Sequence, residues 1–588
     1  MRISDYYVEF FKNLGVRYVF GLNGSGTILQ FFDSLAQAEG IDYVCTLHEQ
    51  SAGMAADAYS SMNETLGVCL ATAGPGATNL STCIAGSFYN SNPVVYIIGQ
   101  AQIPLLRKNK ELRHFGFHEN DIEIFRPIVK YIAEVNKPED ARYELEKAVY
   151  YCLEGRPGPV VIALPDDITW LQIEPQKLRG FTPPEKTKSI KNEDIEKCAE
   201  LLRNAKRPVA ILGKGVKCAH CEKETIELLE TISCPIALTY AMRDAIADDH
   251  WLNVGSFGIQ GSRGGNFAVQ NSDCILSIGT RLDPSETGQP ASNFARGAKI
   301  ISVDVDGAEL RKYSDYNIPC ALPIEMDAKD FIKKLETVLQ NNEENSNKWN
   351  DWIEKIYIWK EKYPLCLKEY YSEDTLNPYV FVKELSDALT ESDSVVTDAS
   401  TSKNYVYQSF QFKKGQKITT WLNYACLGYS LPGAIGAAYA TNERIISIMG
   451  DGALQFNIQE LATVVFNHLN IKIFVFENGG FGGICHSQDN FLGGRYYGSD
   501  REHGLPMPDS SHIARAYGLP VFEIKDNTDV KKVIQKVLNT DGPAYCSVKI
   551  SIDRWSSPVK FGKCPIEDLA PLLPREEFYE QMIVKPIS

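Results

Sequence analysis

The sequence predicts an α/β protein of three domains, each a central parallel sheet flanked by helices. Three observations carry this. Short, continuous Val/Ile-rich runs recur along most of the 588 residues without polar alternation, as strands covered on both faces require. Each run is followed by small or turn-forming residues and then a helix-like stretch, the βα alternation of a parallel sheet. The runs fall into three blocks. A Pro-, Lys- and Thr-rich linker at 174–192 and an Asn-, Glu-, Lys-, Trp- and Tyr-rich stretch from about 341 to 371, expected as surface helix and connector, separate them.

In order, the first domain spans 1–172, with strand-like runs at 16–21, 43–47, 67–72, 93–99 and 159–165. The second spans 192–340 and opens on an amphipathic helix, with runs at 207–213, 235–238, 274–279 and 299–306. The third spans 372–550, with runs at 394–397, 444–449, 471–476 and 544–550, and a tail follows over 551–588. No short-period repeat is present.

Composition narrows the function. With 44% hydrophobic and 23% charged residues the chain has the balance of a folded globular protein. A net charge of −15 repels phosphate backbones and anionic lipid, which argues against nucleic-acid or membrane-surface binding. A phosphorylated ligand must then be held by a metal ion or by backbone N–H groups. No apolar run approaches membrane-spanning length. The opening stretch 1–16 lacks a long apolar core and a small-residue cleavage site, so no signal peptide is expected. The fifteen cysteines are scattered, odd in number and often inside apolar runs, which fits buried thiols in a reducing cytoplasm. The pair Cys218-Ala-His-Cys221 has no second ligand pair for zinc.

The strongest chemical signal lies in the third block. The run 444–449 ends in Gly450-Asp451-Gly452-Ala453, and the run 471–476 ends in Glu477-Asn478-Gly479-Gly480. That places a carboxylate and a carboxamide at the C-terminal ends of two parallel strands, the side where open α/β sheets bind ligands. Asp451 and Asn478 are hard oxygen donors. With a backbone carbonyl and two phosphate oxygens they supply five of the six positions of an octahedral Mg²⁺ shell, and the glycines let a diphosphate approach the backbone. In the first block Glu49 follows a strand-like run and precedes a small-residue helix. That suits a carboxylate doing proton chemistry, or one that simply stabilises a helix N-terminus. The loop Ala71-Thr-Ala-Gly-Pro75-Gly-Ala-Thr-Asn79 is a backbone-approach loop or a tight turn.

Taken in order, these motifs resemble those of thiamine diphosphate-dependent 2-oxo acid decarboxylases and carboligases, most of all the acetolactate synthase branch. Further matches are Ile98-Gly-Gln100, Gly155-Arg-Pro-Gly-Pro-Val160, Ala205-Lys-Arg-Pro-Val209, Phe267-Ala-Val-Gln270, Ile278-Gly-Thr-Arg281 and the tail at 565–578, so the likeness covers nearly the whole chain. The resemblance implies pyrimidine-binding, central and diphosphate-binding domains. It implies that Glu49 hydrogen-bonds the aminopyrimidine and favours the imino tautomer that deprotonates the thiazolium. It places Pro75, Asn79, Ser400, Thr401, Gly450, Asp451, Gly452, Ala453 and Asn478 around the cofactor, Leu427 beneath its bend, and Asp451, Asn478 and the Gly480 carbonyl on Mg²⁺. Phe117, His118 and Gln488 are carried over as substrate residues. It further implies a homodimer or homotetramer.

Departures bear on the substrate. Glu477 replaces an Asn, an unexpected second charge near the metal; His118 replaces a Gln; Asp398-Ala-Ser-Thr-Ser-Lys403 and Trp421-Leu-Asn-Tyr-Ala-Cys-Leu427 replace segments near the cofactor. Gly493-Gly-Arg-Tyr-Tyr-Gly498 offers a polar, aromatic lip. The resemblance leaves FAD open. Gly213-Lys-Gly215, Gly258 and Arg281 fit the synthase pattern, whereas Leu282-Asp283-Pro284 departs from it. The expected activity is decarboxylation of a small 2-oxo acid, pyruvate first, with carboligation to a second carbonyl. The rivals are two-carbon transfer to a keto sugar of surface polysaccharide, simple decarboxylation, a flavin oxidase and a non-catalytic paralogue.

Overall fold

A computed structural model of the chain describes residues 1–24, 26–109, 111–117, 119, 122–185, 192–340, 348–552 and 564–587. Its frame is three six-stranded sheets in which every strand pair is parallel. The first holds β1 (Tyr18–Gly21), β2 (Asp42–Cys45), β3 (Gly67–Ala71), β4 (Val94–Gln100), β5 (Tyr131–Glu134) and β6 (Val160–Pro165), in the order β2-β1-β3-β4-β6-β5. The second holds β7 (Pro208–Leu212), β8 (Ile236–Leu238), β9 (Asn253–Ser256), β10 (Cys274–Ile278), β11 (Lys299–Asp304) and β12 (Cys320–Glu325), ordered β12-β11-β10-β7-β8-β9. The third holds β13 (Ser394–Thr397), β14 (Lys417–Thr419), β15 (Ile445–Gly450), β16 (Ile471–Glu477), β17 (Val521–Ile524) and β18 (Ala544–Lys549), ordered β14-β13-β15-β16-β18-β17.

The outer sheets share one topology, so the first and third domains are built on the same plan. The middle sheet has the doubly wound order with its switch point between β7 and β10, where such sheets bind nucleotides. Its core extends past the expected domain end. The helix Asn350–Lys362 sits in the stretch read as surface connector, yet it buries Trp352, Ile356 and Trp359 in the middle core. Phe578 of the tail joins the same core, and Glu567 accepts from Gln270 Nε2 at 2.5 Å and Arg296 Nη1 at 2.7 Å.

The first and third domains meet through two helices rich in small residues, Glu49–Asn63 and Ser430–Thr441. A Cβ on Gly436 would lie 2.0 Å from the Ala55 carbonyl oxygen, so only glycine permits this crossing. Polar ties reinforce it. Buried Asp57 accepts from Trp421 Nε1 at 2.7 Å, from Ser87 Oγ at 2.7 Å and from the Tyr429 hydroxyl at 3.2 Å. Such neutral donors satisfy a carboxylate that water cannot reach.

Candidate active site

Each half of the expected site is built at strand exits. In the first domain the chain leaves β2 and turns into the helix that begins at Glu49, whose side chain is only 7% exposed. His48 caps that helix, its Nδ1 accepting from Gln50 N at 3.1 Å. Leaving β3, the chain passes Gly74 (φ +69°) into the short helix Pro75–Asn79. This brings Asn79 to Glu49, the Asn79 Nδ2 amide donating to Glu49 Oε2 at 3.0 Å. A Cβ on Gly76 would lie 3.1 Å from Glu49 Oε1, so the absent side chain keeps that oxygen uncovered. Glu49, Pro75 and Asn79 therefore form one cluster.

In the third domain β15 ends at Gly450, and Asp451, Gly452 and Ala453 open the helix Asp451–Leu454. The adjacent strand β16 delivers Asn478 and Gly480. The Asp451 carboxylate joins the two exits, accepting from Gly452 N and from Gly479 N, both at 2.8 Å. Burial pushes its carboxyl up to about 6 against those N–H donors, and the charge of Glu477 adds to the rise. Asn478 Oδ1 accepts from Gly480 N at 3.1 Å. Gly480 is fixed by an antiparallel bridge to Asp500, and Gly479 takes φ +78°.

This donor set fits a hard divalent cation: one carboxylate, one carboxamide oxygen and a backbone carbonyl, with open space where Gly450 would carry a Cβ. No group of three or more His, Cys, Asp or Glu side chains forms a metal cluster among the described residues, so phosphate oxygens or water would complete any such shell. The charge of Glu477 is accounted for. Its carboxylate turns to the far side of β16, where Lys549 and Ser510 hold it and the Tyr545 hydroxyl donates at 3.3 Å.

Ser400 and Thr401 stand at the start of the helix Thr401–Ser409, which is tied into this half. Ser400 (φ +68°) presses on the helix Gly482–Leu492, since a Cβ on Gly483 would lie 2.6 Å from its Oγ. Buried Asp398 accepts from Ala399 N and Ser430 N at 2.9 Å and from Gly428 N at 3.1 Å, which holds the Leu427 turn in place. Leu427 packs partly buried against the core shared by the first and third domains. Gln488 is buried and donates Nε2 to the Tyr497 carbonyl at 3.1 Å. Phe117 is 88% exposed and touches neither cluster by hydrogen bond, and His118 lies outside the described residues.

Among the described residues no hydrogen bond joins the Glu49 cluster to the Asp451 cluster. The two domains are tied instead through residues that sequence reasoning passed over. Ser51 Oγ donates to Asn457 Oδ1 at 3.0 Å, Asn457 Nδ2 donates to the Gly428 carbonyl at 2.8 Å, and Leu47 N donates to Glu460 Oε1 at 3.0 Å. Their signal was weak, because Asn457 and Glu460 sit on a helical stretch that reads as an ordinary polar face.

Comparison with known proteins decides the family. The thiamine pyrophosphate enzyme N-terminal TPP binding domain matches residues 1–121, the central domain 195–335, and the C-terminal TPP binding domain 398–548. The acetolactate synthase large subunit of Cyanidium caldarium is 33% identical over 90% of this chain and 89% of its own length. The chain belongs to the thiamine diphosphate-dependent enzymes, in the acetolactate synthase branch.

Further members agree. The probable acetolactate synthase large subunit of Methanocaldococcus jannaschii is 30% identical over 94% of this chain and 92% of its own. Acetolactate synthase 2, chloroplastic, of Nicotiana tabacum is 30% identical over 93% and 81%. This acetolactate synthase-like chain is thus a thiamine diphosphate-dependent enzyme of the lyase or transferase type that decarboxylates a small 2-oxo acid and carries out carboligation. No helix among the described residues is long and apolar enough to cross a membrane.

Proposed function

We propose that pyruvate is the donor, that Mg²⁺ and thiamine diphosphate are the working cofactors, and that a homodimer or homotetramer is the active form. The observation that carries this reading is the paired exit of β15 and β16, with Asp451 and Asn478 side by side and Glu477 turned away. Thiamine diphosphate, when bound, supplies a nucleophilic carbon and an electron sink for decarboxylation.

The chain's own residues do the rest. Asp451, Asn478 and the Gly480 carbonyl would hold Mg²⁺, and the glycines around them admit the diphosphate to the backbone. Asn79 fixes Glu49 Oε2 and leaves Oε1 as the atom that exchanges a proton with the pyrimidine ring. Leu427, on the turn clamped by Asp398, would give the cofactor an apolar contact, and Ser400 and Thr401 would border its diphosphate. Burial around Glu49 excludes water from the proton transfer. The Glu49 and Asp451 clusters occupy different domains, and the family resemblance supports a second copy completing each site. On the middle domain Gly213, Gly215, Gly279 and Arg281 line a cavity of about 710 Å³ that suits FAD.

The test is mass spectrometry of the products from pyruvate with a panel of aldehydes, 2-oxo acids and keto sugars, with and without thiamine diphosphate and Mg²⁺. Acetolactate from pyruvate alone is the expected product. A strict demand for another donor, or turnover that ignores both additives, overturns the reading.

A further inference from the structure

The middle-domain cavity crosses the C-terminal ends of five adjacent strands. Met326 and Asp327 follow β12, Asp304 ends β11 and Val305 follows it, Gly279 and Thr280 follow β10, Gly213 and Gly215 follow β7, and Thr239 and Tyr240 follow β8. Five strands at about 4.8 Å spacing span roughly 19 Å, the length of two joined nucleotides rather than one. At the middle of that span the backbones nearly touch. A Cβ on Gly213 would lie 2.3 Å from the Gly279 carbonyl, and one on Gly215 would lie 2.6 Å from Gly279 Cα. The glycines are needed for that packing, and because all three also line the cavity, its wall at the switch point is bare backbone that a pyrophosphate can meet. Asp304, at the end of β11, lines the cavity there and offers a carboxylate that can accept from ribose hydroxyls. This assigns a nucleoside half to the β11–β12 side and leaves the β8 side for the distal group.

On the β8 side the wall comes from another domain. Lys403, on the helix Thr401–Ser409 of the third domain, lines the cavity with its Nζ 5.2 Å from the centre of the Tyr240 ring. Tyr240 is stacked on Tyr407 with ring centres 3.4 Å apart. The Lys403 ammonium donates only a long 3.5 Å hydrogen bond, to the Leu422 carbonyl, and no carboxylate of the described residues reaches it as an ion pair. A half-buried cation without a counter-ion is costly unless a ligand meets it. The other lysine at this wall is already engaged: Lys214 donates to the Asn90 carbonyl at 2.7 Å and to Asn92.

We propose that Lys403 is a specificity-determining binding residue of this cavity: it holds the acceptor-rich distal ring of a flavin-type dinucleotide, while the adenosine diphosphate half rests on the middle domain alone. The inference rests on the dinucleotide reading of the cavity and adds to it a residue contributed by the diphosphate-binding domain. A charged donor to such a ring contributes on the order of ten-fold or more in affinity.

The experiment is calorimetric titration of nucleotide-stripped wild type, Lys403→Met and Lys403→Arg with FAD and, separately, with ADP. The flavin absorbance of each freshly purified protein is recorded alongside, and circular dichroism checks the fold. The expected result is FAD binding weakened about ten-fold or more in Lys403→Met, ADP binding changed less than about two-fold, and FAD binding largely restored in Lys403→Arg. Unchanged FAD affinity in Lys403→Met overturns the inference, as does an equal loss for FAD and ADP. Wild type that binds ADP but refuses FAD also overturns it and leaves a nucleotide site. Wild type that binds neither removes the dinucleotide reading itself.

Discussion

The Asn79 side-chain amide donates to Glu49 Oε2 at 3.0 Å, and Gly76 leaves the other carboxylate oxygen uncovered. One oxygen is thereby fixed and one is kept for a ligand. Glu49→Gln preserves shape and burial but removes the exchangeable proton. It should lower kcat by on the order of 10²-fold or more while thermal unfolding stays near wild type. Steady-state kinetics with a melting curve checks this, and a variant that turns over normally removes Glu49 from the chemistry.

Asp451 is braced by two backbone N–H groups from adjacent strand exits, so its position does not depend on a metal. Chelation should therefore release thiamine diphosphate without unfolding the protein, and Mg²⁺ should restore binding. Asp451→Ala should abolish that restoration, whereas Glu477→Gln should shift Mg²⁺ dependence only about two- to three-fold, because Glu477 points to Lys549. Cofactor fluorescence titrated against Mg²⁺ reads both, and an equal loss in the two variants would contradict the assignment.

Asp57 ties three neutral donors at the junction of the first and third domains. Asp57→Ala leaves the buried Trp421 indole N–H without its acceptor, while the Tyr429 and Ser87 hydroxyls keep Thr419 and Tyr96 as partners. At about 1–3 kcal/mol for one unsatisfied buried group, it should destabilise the fold by roughly that amount. Urea unfolding measures this, and a change under about 1 kcal/mol would mean that the junction relaxes around the gap.

Lys403 gives a pH signature in the nucleotide-free protein. Burial pushes its ammonium from an ordinary 10.5 down to about 8, opposed only by the more distant charge of Asp283. Tyr240, the cation of Arg281 and the carboxyl of Glu286 line the same cavity, and Tyr407 is stacked on Tyr240. Between about 8 and 10.5 the unfolded chain binds more protons at this residue than the folded one, so its penalty is complete below 8 and fades as pH rises toward 10.5. Lys403→Met should therefore melt higher than wild type at pH 7, with the gap closing through that window. A gap independent of pH would assign the effect to packing.

Apart from the edge strand β2, the strands legible in the sequence are those with neighbours on both sides. Runs such as β3, β4, β6 and β15 are apolar throughout because both faces are covered. The five strands that the reading missed, β5, β9, β12, β14 and β17, all lie at sheet edges. There β5, β12, β14 and β17 have partly exposed, mixed sequences, and β9 reads Asn-Val-Gly-Ser. Half-covered strands need no continuous apolar run, so none marks them. The helix Asn350–Lys362 was read as surface for the opposite reason. Its many charges hide a stripe of Trp352, Ile356 and Trp359 that only the packed domain shows to be core.

By itself the sequence determined the three parallel-sheet blocks and the chemistry at their strand exits, because βα alternation and glycine-bounded carboxylates are local patterns. It also determined the family, since several motifs in order are read without coordinates. Only the tertiary structure decided that Glu477 faces away from Asp451, that Asn79 reaches Glu49, and that Lys403 of one domain enters a cavity of another. Those outcomes depend on which side a side chain leaves its strand or helix and on which surfaces the small-residue helices bring together. Such contacts join residues 30 to more than 150 positions apart, and no local pattern encodes them.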